Sequence, residues 1–179
     1  MKPYNSRDQA VSYWLMPCPQ GQQRFEDLTR QALSSLHGCT LDTHITLYSD
    51  HLDDEESSRD RLGQVAESRK PILLYPSAIE AGPLFTTSLI VRFEASGELN
   101  SLFTQLHELS PQQLGYRLNP HLSLLYSTEA AHSRQNMAEM LTLPAPALFN
   151  RVRAVVHPLT VRTAEDIAAF TTLGEFTLA

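Results

Sequence analysis

Two short motifs in this sequence each place a hydroxyl residue two positions after a histidine. Residues 44–47 read His-Ile-Thr-Leu, and residues 121–124 read His-Leu-Ser-Leu. Side chains alternate between the two faces of a β-strand, so His44 and Thr46 share one face, as do His121 and Ser123. If both segments are strands, each offers one imidazole and one hydroxyl on one face and leucine-rich packing on the other.

This set of side chains suits acid–base chemistry on a cyclic phosphodiester. Histidines titrate near neutrality, so one can be a neutral base that deprotonates water while the other is a cationic acid that protonates the departing ribose oxygen. The hydroxyls can donate to the non-bridging phosphate oxygens and hold the ring in line with the attacking water. No metal is required, and from the residues alone either histidine can take either role.

The elements that must position these motifs follow from the spacing of the apolar residues, which changes period several times. Two strand–helix–strand units, over 11–48 and 87–126, each end in a histidine motif, which indicates two lobes related by a pseudo-two-fold. Facing lobes would bring both imidazoles and both hydroxyls to one spot. The sequence predicts strands at 11–16, 44–48, 71–75, 87–93 and 121–126, with two or three more in 151–156 and 170–178. It predicts helices at 22–36, at 98–109, at 129–140 and from the acidic run 50–56 to about 68.

Composition narrows the class of protein. The chain has 179 residues, with 14 Lys and Arg against 20 Asp and Glu, for a net charge of −6. The acidic balance argues against a protein that coats nucleic acid, although a local anion site remains compatible with it. The sequence shows no apolar run of membrane-spanning length and no secretory signal, so a cytoplasmic protein is expected. It contains no HExxH or paired-cysteine zinc motif, P-loop or dinucleotide fingerprint, and no metal or cofactor is expected.

With Pro120 before the second motif and Tyr126 after it, the paired motifs resemble those of the 2H phosphoesterase superfamily. The closest likeness is to the cyclic phosphodiesterase branch known from plants and yeast, over roughly residues 10 to 160. Weaker matches are Tyr-Trp-Leu at 13–15, Arg-Phe-Glu-Asp-Leu at 24–28 and Pro-Leu-Phe at 83–85. The resemblance implies an α+β, bilobal fold with two antiparallel sheets and flanking helices around a central cleft, with residues 1–179 forming a single domain of two pseudo-symmetric lobes.

The resemblance also implies an activity. Members of this branch hydrolyse nucleoside 2′,3′-cyclic phosphates or ADP-ribose 1″,2″-cyclic phosphate to a phosphomonoester without a metal, and a monomer acting on such small nucleotides is expected here. His44 and His121 would be the catalytic pair, while Thr46 and Ser123 would hold the phosphate. By analogy, His121 is the base that activates water and His44 is the acid.

Four further residues are candidates for contact with the substrate. Tyr126 matches a tyrosine that touches the phosphate in some relatives, but it lies five residues after His121, and strict alternation places it on the opposite face unless the strand ends or bulges first. Trp14 and Phe85 suit either an aromatic wall against a base or core packing. Arg117, four residues before His121, would add positive charge near the phosphate or be solvated.

Two other functions remain open at this stage. An enzyme acting on the 2′,3′-cyclic phosphate or 2′–5′ linkage of an RNA 3′ end would need a basic track beyond the cleft, which the acidic composition disfavours. A non-catalytic nucleotide- or RNA-binding module would not need both histidines and both hydroxyls. The remaining histidines lack a hydroxyl residue at the second following position and are expected to be structural or solvated: His37, His51, His107, His132 and His157.

Overall fold

The protein alternates strands and helices, as its changing apolar period predicts. A computed structural model describes residues 9–67, 69–112 and 115–179. Ser68, at the predicted end of the second helix, lies outside the described residues, as do residues 1–8 of the predicted domain. The strands are β1 (Gln9–Pro17), β2 (Ile45–His51), β3 (Ile72–Leu74), β4 (Pro76–Glu80), β5 (Leu89–Phe93), β6 (His121–Leu125), β7 (Ala147–Pro158) and β8 (Thr171–Thr177). The helices are α1 (Pro19–Leu33), α2 (Glu55–Ala66), α3 (Gly97–Leu109), α4 (Ala131–Met140) and α5 (Ala164–Ala168), with a 3₁₀ turn at Phe85–Thr87.

These strands form one antiparallel sheet in the order β3-β7-β1-β2-β6-β5-β4, with β8 paired to β7. The α+β class predicted from the sequence is confirmed. The two expected sheets are two halves of this sheet: an outer half of β1, β2, β3, β7 and β8, and an inner half of β4, β5 and β6. The halves meet where β2 and β6 pair through Ile45 and Leu122. The two histidine motifs therefore lie on the two central strands.

One face of the sheet is covered by helices and forms the main core. Val11, Tyr13 and Leu15 alternate along β1 on this face, and all three are fully buried. Apolar residues of α1 to α4 belong to the same buried cluster. Because side chains alternate, Ser12 and Trp14 point to the opposite face, where α5 lies against β7. The opposite face is the one that carries the histidines.

Local signals fix several element boundaries. Ser96 accepts a hydrogen bond from the Leu99 amide at 3.1 Å and begins α3. Asp54 accepts from the Ser57 amide at 2.7 Å and begins α2, so the helix starts after Asp50, which is buried in β2. The sequence analysis missed α5 and β4, and it began β7 four residues late.

A turn between β4 and β5 carries residues that reach the histidine-bearing face. The Gly82 amide donates to the Thr87 carbonyl at 2.8 Å, and a Cβ at Gly82 would lie only 2.4 Å from that oxygen. The buried Arg134 donates to the Gly82 carbonyl at 2.6 Å and to the Ser88 carbonyl at 3.2 Å. Glycine is therefore required at position 82, and Arg134 holds both ends of the turn.

None of the helices in the described ranges is long and apolar enough to cross a membrane.

Candidate active site

The two histidine motifs meet in one cavity of about 270 Å³ on the face opposite the main core. His44 lies immediately before β2, and His121 is the first residue of β6. Both histidines line this cavity together with Thr46 and Ser123. The register of the Ile45–Leu122 pair places His44 across from Ser123 and Thr46 across from His121. We call this space the central cavity.

Each histidine is held by the backbone carbonyl of the residue two positions before it. The Nδ1 atom of His44 lies 2.6 Å from the carbonyl oxygen of Asp42, and that of His121 lies 2.7 Å from the carbonyl oxygen of Asn119. A carbonyl oxygen can only accept, so Nδ1 carries a proton in both residues. The Nε2 atom of each ring is therefore the one that gains or loses a proton.

Burial lowers the pKa of both imidazoles. Desolvation lowers the pKa of His44 to about 4, and the hydrogen bond to Asp42 opposes this shift only in part. Desolvation also lowers the pKa of His121, and the positive charge of Arg92 lowers it further. An anion between the two rings would favour their protonated forms. The site is thus suited to one neutral and one protonated imidazole when a phosphate is bound.

The two hydroxyl residues differ in their present hydrogen bonds. Ser123 Oγ donates to the carbonyl of Thr86 at 2.8 Å, so the turn after β4 reaches the central cavity. Thr46 lines the cavity, and its backbone carbonyl accepts from the Tyr116 hydroxyl at 3.2 Å. Thr86 and Tyr116 also line the cavity. Hydroxyl groups thus surround the space between the two imidazoles.

Tyr126 joins the central cavity because β6 ends before it. Leu124 and Leu125 are both buried, which breaks the alternation, and Tyr126 pairs with Cys39 in an isolated bridge. Burial raises the pKa of its phenol to about 12, so the hydroxyl keeps its proton. Of the two faces weighed from the sequence, Tyr126 therefore lies on the cavity side.

Trp14 both packs in a core and lines the central cavity. The pairing of β1 with β2 shifts register between Tyr13 and Trp14. The indole ring stacks on the imidazole of His44, with centroids 3.6 Å apart and planes 10° apart. It is 3% exposed and packs against Met16 and Val155. The core packing expected from the sequence is therefore present, and the contact of Trp14 with a substrate base stays a prediction.

Phe85 and Arg117 lie away from the central cavity. The ring centroids of Phe85 and Tyr126 lie 5.9 Å apart, and both residues line a separate pocket of about 360 Å³. Arg117 is exposed and does not line the central cavity. Neither residue lines the central cavity, and the expected contact of each with the substrate stays a prediction.

The sequence analysis missed a polar cluster in the same cavity. Nε2 of His157 lies 2.7 Å from Ser12 Oγ, which lies 2.8 Å from Ser49 Oγ. Nδ1 of His157 lies 2.8 Å from the Pro158 carbonyl, and its ring stacks on Phe170 with centroids 4.6 Å apart. His157 is thus buried in the described structure, because β7 runs past residue 156 and pairs with β1 at Ala10. The only sequence signal was the parity that Ser12 shares with Trp14.

A second space, of about 470 Å³, adjoins the central cavity. Trp14, Leu41 and Phe170 line both spaces, and Arg153 lines only the second. We call it the side cavity. Within the described ranges, no group of three or more His, Cys, Asp or Glu side chains is arranged to hold a metal ion.

Comparisons with known proteins agree with this architecture. No protein-family model matches the chain, and no curated protein matches it in sequence. Among solved structures, the protein TT0787 of Thermus thermophilus aligns over 94% of this chain and 97% of its own, with a TM-score of 0.59 and 14% identity. Escherichia coli LigT complexed with 3′-AMP aligns over 96% and 98%, with a TM-score of 0.53 and 14% identity. Kluyveromyces marxianus Usb1 aligns over 93% and 98%, with a TM-score of 0.53 and 13% identity. The TM-scores and the coverage show a common fold, so the chain shares the fold of these structures.

Proposed function

We propose that this protein hydrolyses ribose cyclic phosphates, either nucleoside 2′,3′-cyclic phosphates or ADP-ribose 1″,2″-cyclic phosphate, to a phosphomonoester. The observation that carries the proposal is the convergence of His44 and His121 on one cavity, each with Nδ1 on a backbone carbonyl and Nε2 left to exchange protons. Two imidazoles with the same tautomer and a shared cavity are the parts that general acid–base hydrolysis requires.

In the proposed reaction, Nε2 of His121 accepts a proton from water, and the water oxygen attacks phosphorus. The bond from phosphorus to one ribose oxygen breaks, and Nε2–H of His44 donates its proton to that oxygen. Exchange with solvent then deprotonates His121 and reprotonates His44. Burial opposes the protonation of His44, so we expect the negative charge of the bound cyclic phosphate to supply the acid form.

The hydroxyl residues and Tyr126 would hold the phosphate during this step. Thr46 and Ser123 lie across the strands from the opposite histidines, which suits donation to the two non-bridging oxygens. Ser123 would have to turn its O–H away from the Thr86 carbonyl to do so. The Tyr126 phenol, with a pKa of about 12, is a donor at any physiological pH.

Two observations support a small nucleotide as substrate. The central cavity, at about 270 Å³, lies just below the range typical of small-molecule sites, so it suits a small ligand. Solved structures of E. coli LigT, which has the same fold, hold 3′-AMP, ATP or NADP⁺. A single nucleotide cyclic phosphate is consistent with both.

The direct test is turnover of the four nucleoside 2′,3′-cyclic phosphates and ADP-ribose 1″,2″-cyclic phosphate in EDTA, with products separated by chromatography. His44→Ala and His121→Ala should each lower kcat by about 10²–10⁴-fold. His132→Ala, on the exposed surface of α4, is the matched control and should retain activity. Binding without turnover in the unmodified protein would instead indicate a non-catalytic nucleotide-binding module.

A second candidate is an enzyme that acts on the cyclic phosphate at an RNA 3′ end. The side cavity favours it, because this space continues from the central cavity past Trp14 and Phe170 and offers room for a second nucleotide. An oligonucleotide ending in a 2′,3′-cyclic phosphate discriminates the two. A kcat/KM much higher than that of the mononucleotide would favour the RNA end, and an equal or lower value would favour the small substrate.

A further inference from the structure

Two arginines outside the central cavity are joined to the two histidines by matching hydrogen-bond paths. In the inner half of the sheet, Arg92 Nη1 donates to the side-chain Oδ1 of Asn119 at 2.7 Å. The backbone carbonyl of the same asparagine accepts from Nδ1 of His121 at 2.7 Å. Arg92 lies directly across from His121 in the pairing of β5 with β6.

The outer half repeats this path with one change of residue. Arg153 Nη1 donates to the carboxylate of Asp42. The backbone carbonyl of Asp42 accepts from Nδ1 of His44 at 2.6 Å. In both halves, therefore, an arginine holds the side chain of the residue two positions before the histidine, and that residue's carbonyl holds the imidazole.

The other edge of each guanidinium binds a glutamate carboxylate. Arg92 contacts Glu80 through Nε at 3.0 Å and through Nη2 at 2.8 Å. Arg153 contacts Glu175 through Nε at 2.8 Å and through Nη2 at 2.7 Å. The same two nitrogens bind the glutamate in both halves, and the same third nitrogen reaches the asparagine or aspartate. Because the guanidinium is planar, the glutamate fixes the direction of Nη1.

Neither arginine lines the central cavity, so neither is placed to touch the reacting phosphate. Asp42 and Asn119 lie outside regular strands, and Asp42 is largely exposed. A loop carbonyl of this kind orients an imidazole only if the loop itself is held. Partners of this kind fix the tautomer of a functional histidine and are needed for full activity.

We propose that Arg92 and Arg153 are positioning residues for the hydrolysis proposed above, on which this inference rests. Each arginine fixes the residue before its histidine motif, so that the carbonyl retains the Nδ1 proton and Nε2 faces the central cavity. Each pair of arginine and glutamate thus orients one imidazole. The ordinary alternative is that these are surface ion pairs, which contribute little to stability or activity.

The chain offers a close control for the outer half. Arg151 lies on the same strand as Arg153 and also contacts Glu175, at 3.1 Å, but its other donor reaches the Pro17 carbonyl at 3.0 Å rather than Asp42. Arg151→Met therefore removes an arginine from the same glutamate without touching the path to His44. It should leave kcat unchanged.

The experiment compares Arg92→Met, Arg153→Met and Arg151→Met by steady-state kinetics and by ¹⁵N NMR of the imidazoles. We expect kcat to fall about 10–100-fold in the first two variants, with KM little changed. In Arg153→Met, His44 should lose its uniform Nδ1–H tautomer while His121 keeps it, and Arg92→Met should do the reverse. Arg92→Met added to His121→Ala should cause no further loss of kcat.

Lysine substitution separates geometry from charge. Arg153→Lys and Arg92→Lys keep the positive charge but lose the fork that holds two partners, so kcat should remain as low as in the methionine variants. Full recovery with lysine, or unchanged tautomers in the methionine variants, would overturn the positioning role. A lack of turnover in the unmodified protein would refute the proposed function alone, because the tautomers are measured without substrate.

Discussion

Ile45 pairs with Leu122 where the two histidine-bearing strands meet, and both side chains are fully buried on the helix-covered face. The residues on either side of this pair point to the opposite face. His44 therefore lies across from Ser123, and Thr46 across from His121. Each motif thus supplies the hydroxyl that lies opposite the other motif's imidazole, so the site depends on how the two halves of the sheet meet.

Leu122→Ala tests this dependence on the junction. Truncation of a fully buried leucine should lower the free energy of unfolding by about 2–5 kcal/mol. It should also lower kcat, because the cavity left at the junction lets the two motifs shift relative to each other. Leu124→Ala, on the same strand and equally buried, is the control and should destabilise as much with a smaller loss of kcat. Equal losses of kcat at a temperature where both variants are folded would contradict the prediction.

The pH profile of kcat/KM, which reports the free enzyme, should be bell-shaped with its maximum at acidic pH. The pKa of His44 is lowered to about 4 and that of His121 lies below its ordinary value of 6.5, in both cases mainly through burial. The profile of kcat/KM reports these groups in the free enzyme, so its maximum should lie below pH 6.5. The kcat profile should be displaced to higher pH, since the bound anion raises the pKa values of both histidines. A flat kcat/KM profile from pH 5 to 8 would count against the histidine pair.

The same burial predicts a loss of stability in acid. Because the pKa of His44 falls from 6.5 in the unfolded chain to about 4 in the folded protein, the unfolded state binds more protons between these values. The stabilisation is fully present above pH 6.5 and is lost as the pH falls towards 4, by on the order of 3 kcal/mol. Urea unfolding of the protein and of His44→Gln across this window should show it. The stability difference between the two should shrink as the pH falls, whereas His132→Gln should track the unmodified protein.

Asp42→Asn should lower the pKa of His44 further. The Asp42 carboxylate favours the imidazolium, while the neighbouring Arg153 opposes it. The asparagine side chain has the size of aspartate and keeps an oxygen that can accept from Arg153. In the other half, Asn119 accepts from Arg92 in the same way. NMR titration of His44 Cε1–H measures the change directly. A pKa that stays the same or rises would show that the carboxylate does not act on the ring.

Arg134→Met should weaken the turn that reaches Ser123. The buried guanidinium donates to the carbonyls of Glu129, Gly82 and Ser88, which would lose their donor. We expect a loss of at least about 1–3 kcal/mol in the free energy of unfolding. Arg69→Met, which removes more exposed hydrogen bonds to Ser101 and Gln105, should cost less. Chemical denaturation of the two variants checks the order.

The local sequence was enough to predict the strands of the two motifs, because alternation and the leucines after each hydroxyl residue are visible within five residues. It was not enough for Tyr126, whose side is decided by where β6 ends, or for the stacking of Trp14, which accompanies a register shift between β1 and β2. His157 enters the cavity through the pairing of β7 with β1, and its hydrogen-bond partner Ser12 lies 145 residues earlier in the chain. The paths through Arg92 and Arg153 likewise depend on contacts between distant strands, which no local pattern encodes.

The stacking of Trp14 on His44 gives the protein a built-in optical reporter. Trp14 is the only tryptophan in the sequence, and the centroid of its ring lies 3.6 Å from that of the imidazole. A protonated imidazole at this distance attracts the indole π-system and quenches its emission. The intrinsic fluorescence should therefore report the charge on a single histidine. Added nucleotide would then be visible without a label, as a change in emission when its phosphate shifts that charge.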